Sequence, residues 1–367
     1  MNKNIIFLLS HTPNPRIMKR ARFLKAENKQ IGLIYARRTQ NINFIFDELV
    51  FDSRYEIKYD NKNLFRRLNS LIIFAHKALK YLKKEKPYII HLTNLDMLLC
   101  AVLYKKISDR SVKLIYEIAD IPDAIIQDRN TFKSMLIQRV ESKLCKNIES
   151  LILTAEDYWN AYYSLFVDEK KYHFIPNKPE KQYFKDFENK KFENDKIIVG
   201  YVGYVRYKKE LKVLMDIVNS QDKLHFIVAG DGLEVDERKT YAVGKKRIQF
   251  LGPYSYSQDI ANLYQQIDIV YSAYDNENIN CQLAIPNRLY EAIVCQKPII
   301  VSKGTCLSRY VEANGIGVAI NPMNKMSVLE GLEEIIINYQ RYQQNMKQLN
   351  EKKWFDDYKD LIAELYV

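Results

Sequence analysis

Two stretches in the second half of the chain combine residue types suited to an anionic ligand. The first, Ile197-Ile-Val-Gly200-Tyr-Val-Gly203-Tyr-Val-Arg206-Tyr-Lys208-Lys209, is an apolar run that breaks at a glycine and is followed by three cations. A strand-to-helix turn of this kind exposes backbone N–H groups. Gly203 lets a phosphate approach the main chain, and Arg206 with Lys208 or Lys209 can neutralise a diphosphate. Gly200 and Gly203 do not complete a G-x-G-x-x-G, so a nicotinamide dinucleotide fingerprint is unsupported. The second stretch runs from Ala284 to Ser302 and contains Pro286-Asn287-Arg288-Leu-Tyr-Glu291 followed by Lys297-Pro-Ile-Ile-Val-Ser302. Pro286 suits the opening of a helix, where its missing N–H costs nothing. Glu291 then falls about one and a half turns in, at the strand ends where open α/β sheets bind ligands. A carboxylate there can accept a ribose hydroxyl pair, with Asn287 and Arg288 near the helix N-terminus and the phosphates. Between the two stretches, Phe226–Gly232 reads as a tight left-handed connection.

These residues need a scaffold of strands and helices, and the hydrophobic pattern supplies one. Short apolar runs alternate with longer amphipathic stretches, as expected of an α/β fold with parallel sheets covered on both faces. The first half has runs at Asn4–Leu9, Gln30–Tyr35, Tyr88–Leu92, Lys113–Ile118 and Ser150–Thr154, with helices at Arg16–Asn28 and Asn63–Lys86. In the second half they are Ile197–Val202, Leu224–Ala229, Ile248–Leu251, Ile269–Ser272, Pro298–Val301 and Gly317–Ile320. The polar segment Pro176–Lys196 reads as a linker. After Ser327 the pattern is helical to the end, with Trp354, Phe355, Tyr358, Leu361, Ile362 and Leu365 as a docking stripe. The expected domains are 1–180, 195–340, and a helix at 341–367 returning to the first.

The composition agrees with this frame. A chain of 367 residues, 47% apolar and 28% charged, excludes disorder and exceeds what one core ordinarily organises. The five cysteines show no C-x-x-C and no Cys/His ligand spacing, so neither zinc nor a disulfide framework is indicated, and a reducing cytoplasmic setting fits. The run Ile5–Ser10 is too short for a signal-peptide core. Tyr88–Tyr104 contains His91 and Asp96, which argues against a membrane span.

Charge is lopsided. Residues 1–190 hold 34 Lys and Arg against 22 Asp and Glu (+12), and residues 191–367 hold 22 against 23 (−1). The basic half therefore expects an anionic partner. Asn63–Lys86 places Arg66, Arg67, Lys77, Lys80, Lys83 and Lys84 around an apolar stripe, and Arg16, Lys19, Arg20, Arg22 and Lys25 give a second cationic face. Basic helices bearing Phe and Leu suit peripheral binding to an anionic membrane surface. Nucleic acid is excluded as partner: no finger, RNA-recognition or helix-turn-helix pattern is present.

The block Pro286-Asn-Arg-Leu-Tyr-Glu…Lys-Pro-Ile-Ile-Val-Ser resembles the P-x-K-L-x-E-Y…G-x-P-V-V-x-S signature of bacterial glycosyltransferases of family 4 (group 1), which have the two-Rossmann GT-B fold. Ser10-His11-Thr-Pro-Asn14-Pro-Arg16 is similar to the family's first loop and helix, Ile89-Ile-His91-Leu-Thr-Asn-Leu-Asp96 to its "V-H-A-H-x-x-D" strand end, and Leu114-Ile-Tyr-Glu117-Ile-Ala-Asp120 to its "Y-D-x-H-D" loop. The resemblance implies transfer of a hexose-type sugar from a nucleoside diphosphate sugar to a glycan or polyprenyl-diphosphate-linked acceptor, with retention, in surface polysaccharide synthesis. By the same resemblance Glu291 holds the ribose, and Gly203, Arg206, Lys208, Lys209, Asn287 and Arg288 surround the diphosphate. The loop at Tyr254 and Ser255 meets the base. Arg206, Lys209, Asp120 and Glu291 are the expected catalytic positions, and His11, Asn14, Arg16, His91 and Glu117 lie on the acceptor side. No metal or cofactor is implied. The expected location is cytoplasmic, on the inner face of the membrane.

Two positions depart from the family pattern. Leu283 stands where the first Glu of an E-x7-E pair belongs, with Asp275 or Glu277 nearby as substitutes, and Ala119 stands at the histidine of the "Y-D-x-H-D" loop. They leave open a GT-B nucleotide-sugar epimerase and a non-catalytic partner subunit.

Overall fold

A computed structural model describes residues 4–39, 46–60, 62–127, 131–205, 208–232, 235–349 and 353–367, with the side chains at 64, 124 and 208 left out. The chain separates into two units, residues 1–176 with 358–367, and residues 177–357.

The first unit is built on seven parallel strands: β1 (Asn4–Leu9), β2 (Gln30–Arg38), β3 (Ser53–Tyr59), β4 (Ile89–Thr93), β5 (Lys113–Ile118), β6 (Ser150–Leu153) and β7 (Tyr172–Phe174), in the order β3-β2-β1-β4-β5-β6-β7. Its helices are α1 (Pro15–Ala26), α2 (Leu64–Glu85), α3 (Leu95–Ile107), α4 (Asp123–Ile126), α5 (Phe132–Cys145) and α6 (Glu156–Ala161). The central strands are buried beyond the first residues of β1 and β5, so their sequences are largely apolar. β3 does not show as such a run, because it is an edge strand that alternates Arg54, Glu56 and Lys58 with inward residues. The caps are local and legible: Asn14 Oδ1 accepts the Ile17 N–H at 3.0 Å and Pro15 opens α1, and Asn63 Oδ1 does the same for Arg66 of α2 at 2.9 Å.

The second unit has six parallel strands: β8 (Ile197–Val202), β9 (Leu224–Ala229), β10 (Ile248–Gly252), β11 (Ile269–Ser272), β12 (Ile299–Ser302) and β13 (Gly317–Ile320), in the order β10-β9-β8-β11-β12-β13. The helices are α7 (Lys208–Ser220), α8 (Val235–Ala242), α9 (Tyr256–Gln266), α10 (Ile279–Leu283), α11 (Asn287–Val294), α12 (Cys306–Ala313), α13 (Lys325–Ile337) and α14 (Tyr339–Gln348). They cover both faces, over one core around Tyr201, Phe226 and Leu332 and another around Tyr264, Leu289 and Val301. In each sheet the strand order reverses once, between β1 and β4 and between β8 and β11, which is where crevices open in folds of this type.

Two expectations about the connections are corrected. Residues 177–196 cluster with the second unit and are not a free linker: Phe184 is buried in its core, and Phe192 stacks on Tyr339 at 3.7 Å between ring centroids. The terminal helix is not continuous from Ser327. It breaks after α13 and α14, and only Tyr358–Val367, with α15 (Lys359–Leu365), belongs to the first unit. The aromatic stripe is divided accordingly. Trp354 and Phe355 pack in the second unit's core, and Tyr358, Leu361, Ile362 and Leu365 pack on the first.

If 177–196 is part of the core, Phe184→Ala lowers the stability of the full chain by about 3 kcal/mol in denaturant unfolding, as for other buried aromatic deletions. A linker residue would change it by less than about 0.5 kcal/mol.

Candidate nucleotide site and the first-unit ion cluster

The loops that leave β8, β9 and β10 are held against one another by backbone bonds. Gly203 N–H donates to Ala229 O at 2.8 Å, Val205 N–H to Asp231 O at 2.9 Å, and Gly230 N–H to Gly252 O at 2.8 Å. Gly203 and Gly230 take φ of +124° and +133°, and a Cβ on Gly230 would lie 1.9 Å from Gly203 O. Only glycine fits there. The Phe226–Gly232 turn is thus the backbone support of the Gly203 loop.

Arg288 spans the reversal between β8 and β11. From α11 its Nε donates to Val202 O at the end of β8, and its Nη1 donates to the Tyr274 hydroxyl beyond β11 at 2.8 Å. Its guanidinium carbon lies 3.8 Å from the centroid of the Tyr201 ring, and Nη2 sits where a side chain at 203 would begin, 3.2 Å from such a Cβ. Sequence reasoning set Arg288 toward the phosphates. The structure turns it inward, because a carbonyl, a phenol and an aromatic face satisfy a buried guanidinium. Asn287 is half-buried at the first position of α11.

Glu291 lies three residues beyond Arg288, on the same face of α11. It is 3% exposed, and its oxygens each accept one phenol, from Tyr256 at 2.8 Å and Tyr264 at 2.7 Å. Burial pushes its carboxyl above the usual range, against the pull of Tyr264, Tyr256 and Arg288. Each oxygen keeps one lone pair for a ligand. Tyr254, also near Glu291, is half-buried, and burial pushes its phenol up. Lys209 is exposed at the second position of α7, and Lys208 opens that helix. Arg206 lies outside the described residues. The tyrosines 201, 256, 264 and 274 were not singled out from sequence. Of these, Tyr201 alone lies in the apolar run that leads into the Gly203 loop.

In the first unit, three of the five acceptor-side positions meet in one buried cluster. Glu117, 1% exposed at the end of β5, takes a bidentate pair of bonds from Arg20, Nε at 2.7 Å and Nη2 at 3.1 Å. Arg16 Nε approaches its other side at 2.7 Å, His91 Nε2 lies 3.1 Å away, and the far side of His91 contacts the Tyr366 hydroxyl. Burial opposes the charge on Glu117, but Arg20, Arg16 and His91 outweigh it and hold the carboxyl well below its usual range. Burial also keeps His91 and His11 below the ordinary imidazole value. His11 Nδ1 lies 2.7 Å from Thr12 O. Asp120 is exposed, with the Tyr158 hydroxyl 3.4 Å from Oδ1.

The cluster corrects two expectations. His91 and Glu117 have no exposed surface and brace α1 instead of presenting to an acceptor. The second cationic face is reduced, since Arg16 and Arg20 are buried on Glu117, and its exposed Lys25 pairs with Asp52. Among the substitutes for the missing acid, Asp275 Oδ1 accepts the Glu277 N–H of its own loop at 3.0 Å, and Leu283 closes α10 half-buried.

Residues 182–353 match the family described as glycosyl transferases group 1. The succinoglycan biosynthesis protein ExoL of Rhizobium meliloti (strain 1021) is 22% identical over 302 residues, 76% of this chain and 72% of that protein. Among solved structures, Anabaena HepE in complex with UDP and glucose superposes with a TM-score of 0.72 at 17% identity over 99% of each chain. Sucrose-phosphate synthase from Thermosynechococcus elongatus gives 0.72 at 12% identity, over 99% of this chain and 97% of that one. The second unit thus carries a segment of the group 1 glycosyl transferase kind, and the fold of the chain is the GT-B fold of these structures. The Gly203 loop, Arg288 and Glu291 all fall inside the matched segment.

Two consequences follow from the bonds. Arg288→Met removes the tie across the strand reversal and costs roughly 3 kcal/mol in denaturant unfolding, the range for charged hydrogen bonds to buried partners plus a cation–π contact. Glu117→Gln leaves two buried guanidiniums without a counter-charge and costs roughly 3–5 kcal/mol at pH 7. Because the folded carboxyl is depressed, its contribution is complete above the unfolded value of about 4.3 and is lost as pH falls through the folded one. Unfolding curves of the two proteins therefore begin to approach each other below about pH 4.3 and converge only at pH below the depressed folded value.

Proposed function

We propose that this protein is a glycosyltransferase that moves a hexose-type sugar from a nucleoside diphosphate sugar to a lipid-linked glycan acceptor in surface polysaccharide synthesis, with retention, as a peripheral protein on the cytoplasmic face of a membrane. One observation carries the donor half of this reading. At the β8/β11 reversal a glycine loop leads into the Arg206–Lys209 cations, and a buried carboxylate with unused lone pairs stands on the adjoining helix. HepE, of the same fold, was solved with UDP and glucose, and ExoL is named for polysaccharide synthesis.

In this scheme Glu291 accepts the ribose hydroxyls, the loop of Tyr254 and Ser255 meets the base, and Arg206 with Lys208 or Lys209 binds the diphosphate. Negative charge grows on the leaving diphosphate in the transition state, so cations fixed there lower the barrier. Asp120, His11 and Asn14 remain the acceptor-side candidates, with Arg16, His91 and Glu117 as their scaffold. No metal or cofactor enters the scheme.

Calorimetric titration of the full chain with UDP, GDP, ADP and TDP tests it. One of them binds, and Glu291→Ala and Arg206→Ala each weaken it by about tenfold or more, a loss of about 1.4 kcal/mol. Unchanged affinity in both variants removes the donor site. With nucleotide sugar present, sugar transfer to a polyprenyl-diphosphate glycan is expected. Conversion of the nucleotide sugar without acceptor would instead identify an epimerase, and binding without turnover a partner subunit.

A further inference from the structure

Helices α2, α3 and α5 follow β3, β4 and β5, and α3 packs against both of the others. α2 and α3 start close behind the ends of β3 and β4, and α5 follows β5 after the short helix α4. α2 buries Ser70, Phe74, Ala78 and Leu82, which leaves Phe65, Leu68 and Ile72 on its outer side, with Phe65 81% and Ile72 70% exposed. α5 repeats the arrangement, with Ser134, Glu141 and Cys145 inward and Phe132 (79% exposed), Met135 and Leu136 outward. Leu99 of α3 is exposed between them. Apart from Leu99, these apolar side chains belong to the N-terminal halves of α2 and α5. Isolated exposed apolar residues are ordinary, but a band across adjacent helices marks a binding surface.

The exposed charges carried by α2 and α5 themselves are basic. Glu85, the sole acidic residue of α2, is bonded to Tyr55 and Asn4. Glu141, the sole acidic residue of α5, is buried and accepts the hydroxyls of Tyr116, Tyr162 and Tyr163. Arg66, Arg67, Lys77, Lys80, Lys133 and Arg139 are exposed, with Arg66 also 3.2 Å from Asp60. An apolar band ringed by cations complements an anionic lipid surface, where aromatic and aliphatic side chains enter the acyl boundary and Lys and Arg meet phosphates.

We infer that the first turns of α2, α3 and α5 form the docking face of this protein on anionic phospholipid bilayers. The inference deepens the membrane-peripheral reading above and adds α3 and α5, whose contribution the sequence pattern did not reveal. It does not depend on the donor site.

The test is co-sedimentation of the full chain with vesicles of phosphatidylcholine alone or with about one third phosphatidylglycerol, the cationic contribution being screened at high salt. Binding is expected to the acidic vesicles only, falling steeply from about 0.05 to 0.5 M salt. The double variant Ile72→Ser/Phe132→Ser, which keeps every charge, is expected to lower vesicle affinity by about tenfold or more without changing the melting temperature or nucleotide affinity. Absent binding, equal binding to neutral vesicles, or undiminished binding by the variant overturns the inference. So does a dimer in light scattering that the double variant dissociates, since the band would then be an interface between copies. Loss of nucleotide binding with vesicle binding intact counts against the donor site alone.

Discussion

The second unit depends on how a sheet is held together where its strand order reverses. β8 and β11 are neighbours at the reversal, where a crevice opens at the strand ends in folds of this type. Arg288 closes it with one guanidinium, bonded to the end of β8 and to Tyr274 beyond β11 and stacked on Tyr201. A guanidinium can do this because it offers several donors in a plane and an apolar face, and it stays charged when buried. Position 203 must then be glycine, both for its φ and for the room Arg288 takes, and Gly230 must be glycine because Gly203 lies against it. The same anchorage orients α11 and with it Glu291, one helical turn further on. The placing of Glu291 thus follows from a packing requirement at the strand reversal.

The first unit meets the corresponding problem with an ion cluster. Glu117 at the end of β5 is neutralised by Arg16 and Arg20 of α1, and His91 of β4 links the cluster to Tyr366 beyond α15. Burying such charges is costly unless every partner is present. The cluster therefore fastens α1 and the final segment of the chain to the strand ends together.

The strands and their parallel arrangement were readable in the sequence because buried central strands leave unbroken apolar runs. β3 was not, since an edge strand alternates charge with apolar residues, and neither was the core role of 177–196, where Phe184 and Phe192 are hidden among Lys and Glu. Gly203, Glu291 and the α11 start were legible from type and spacing. The inward turn of Arg288 was not, because its partners Val202 and Tyr274 lie 86 and 14 residues away. Arg16 and Arg20 were misread for the same reason: a helix sequence shows that two arginines share a face, and only the fold shows a carboxylate behind it. The charge excess of the first half accordingly separates into cations buried on Glu117 and cations around the exposed α2 and α5 band.

Hydrogen exchange of the full chain, with and without saturating nucleoside diphosphate, tests the central claim most directly, because it reports where the ligand binds without altering a residue. Added protection is expected in the Gly203–Val205 and Gly230–Gly232 loops and at the start of α11. Protection confined to the first unit, or none in these three segments while the nucleotide is bound, would contradict the account.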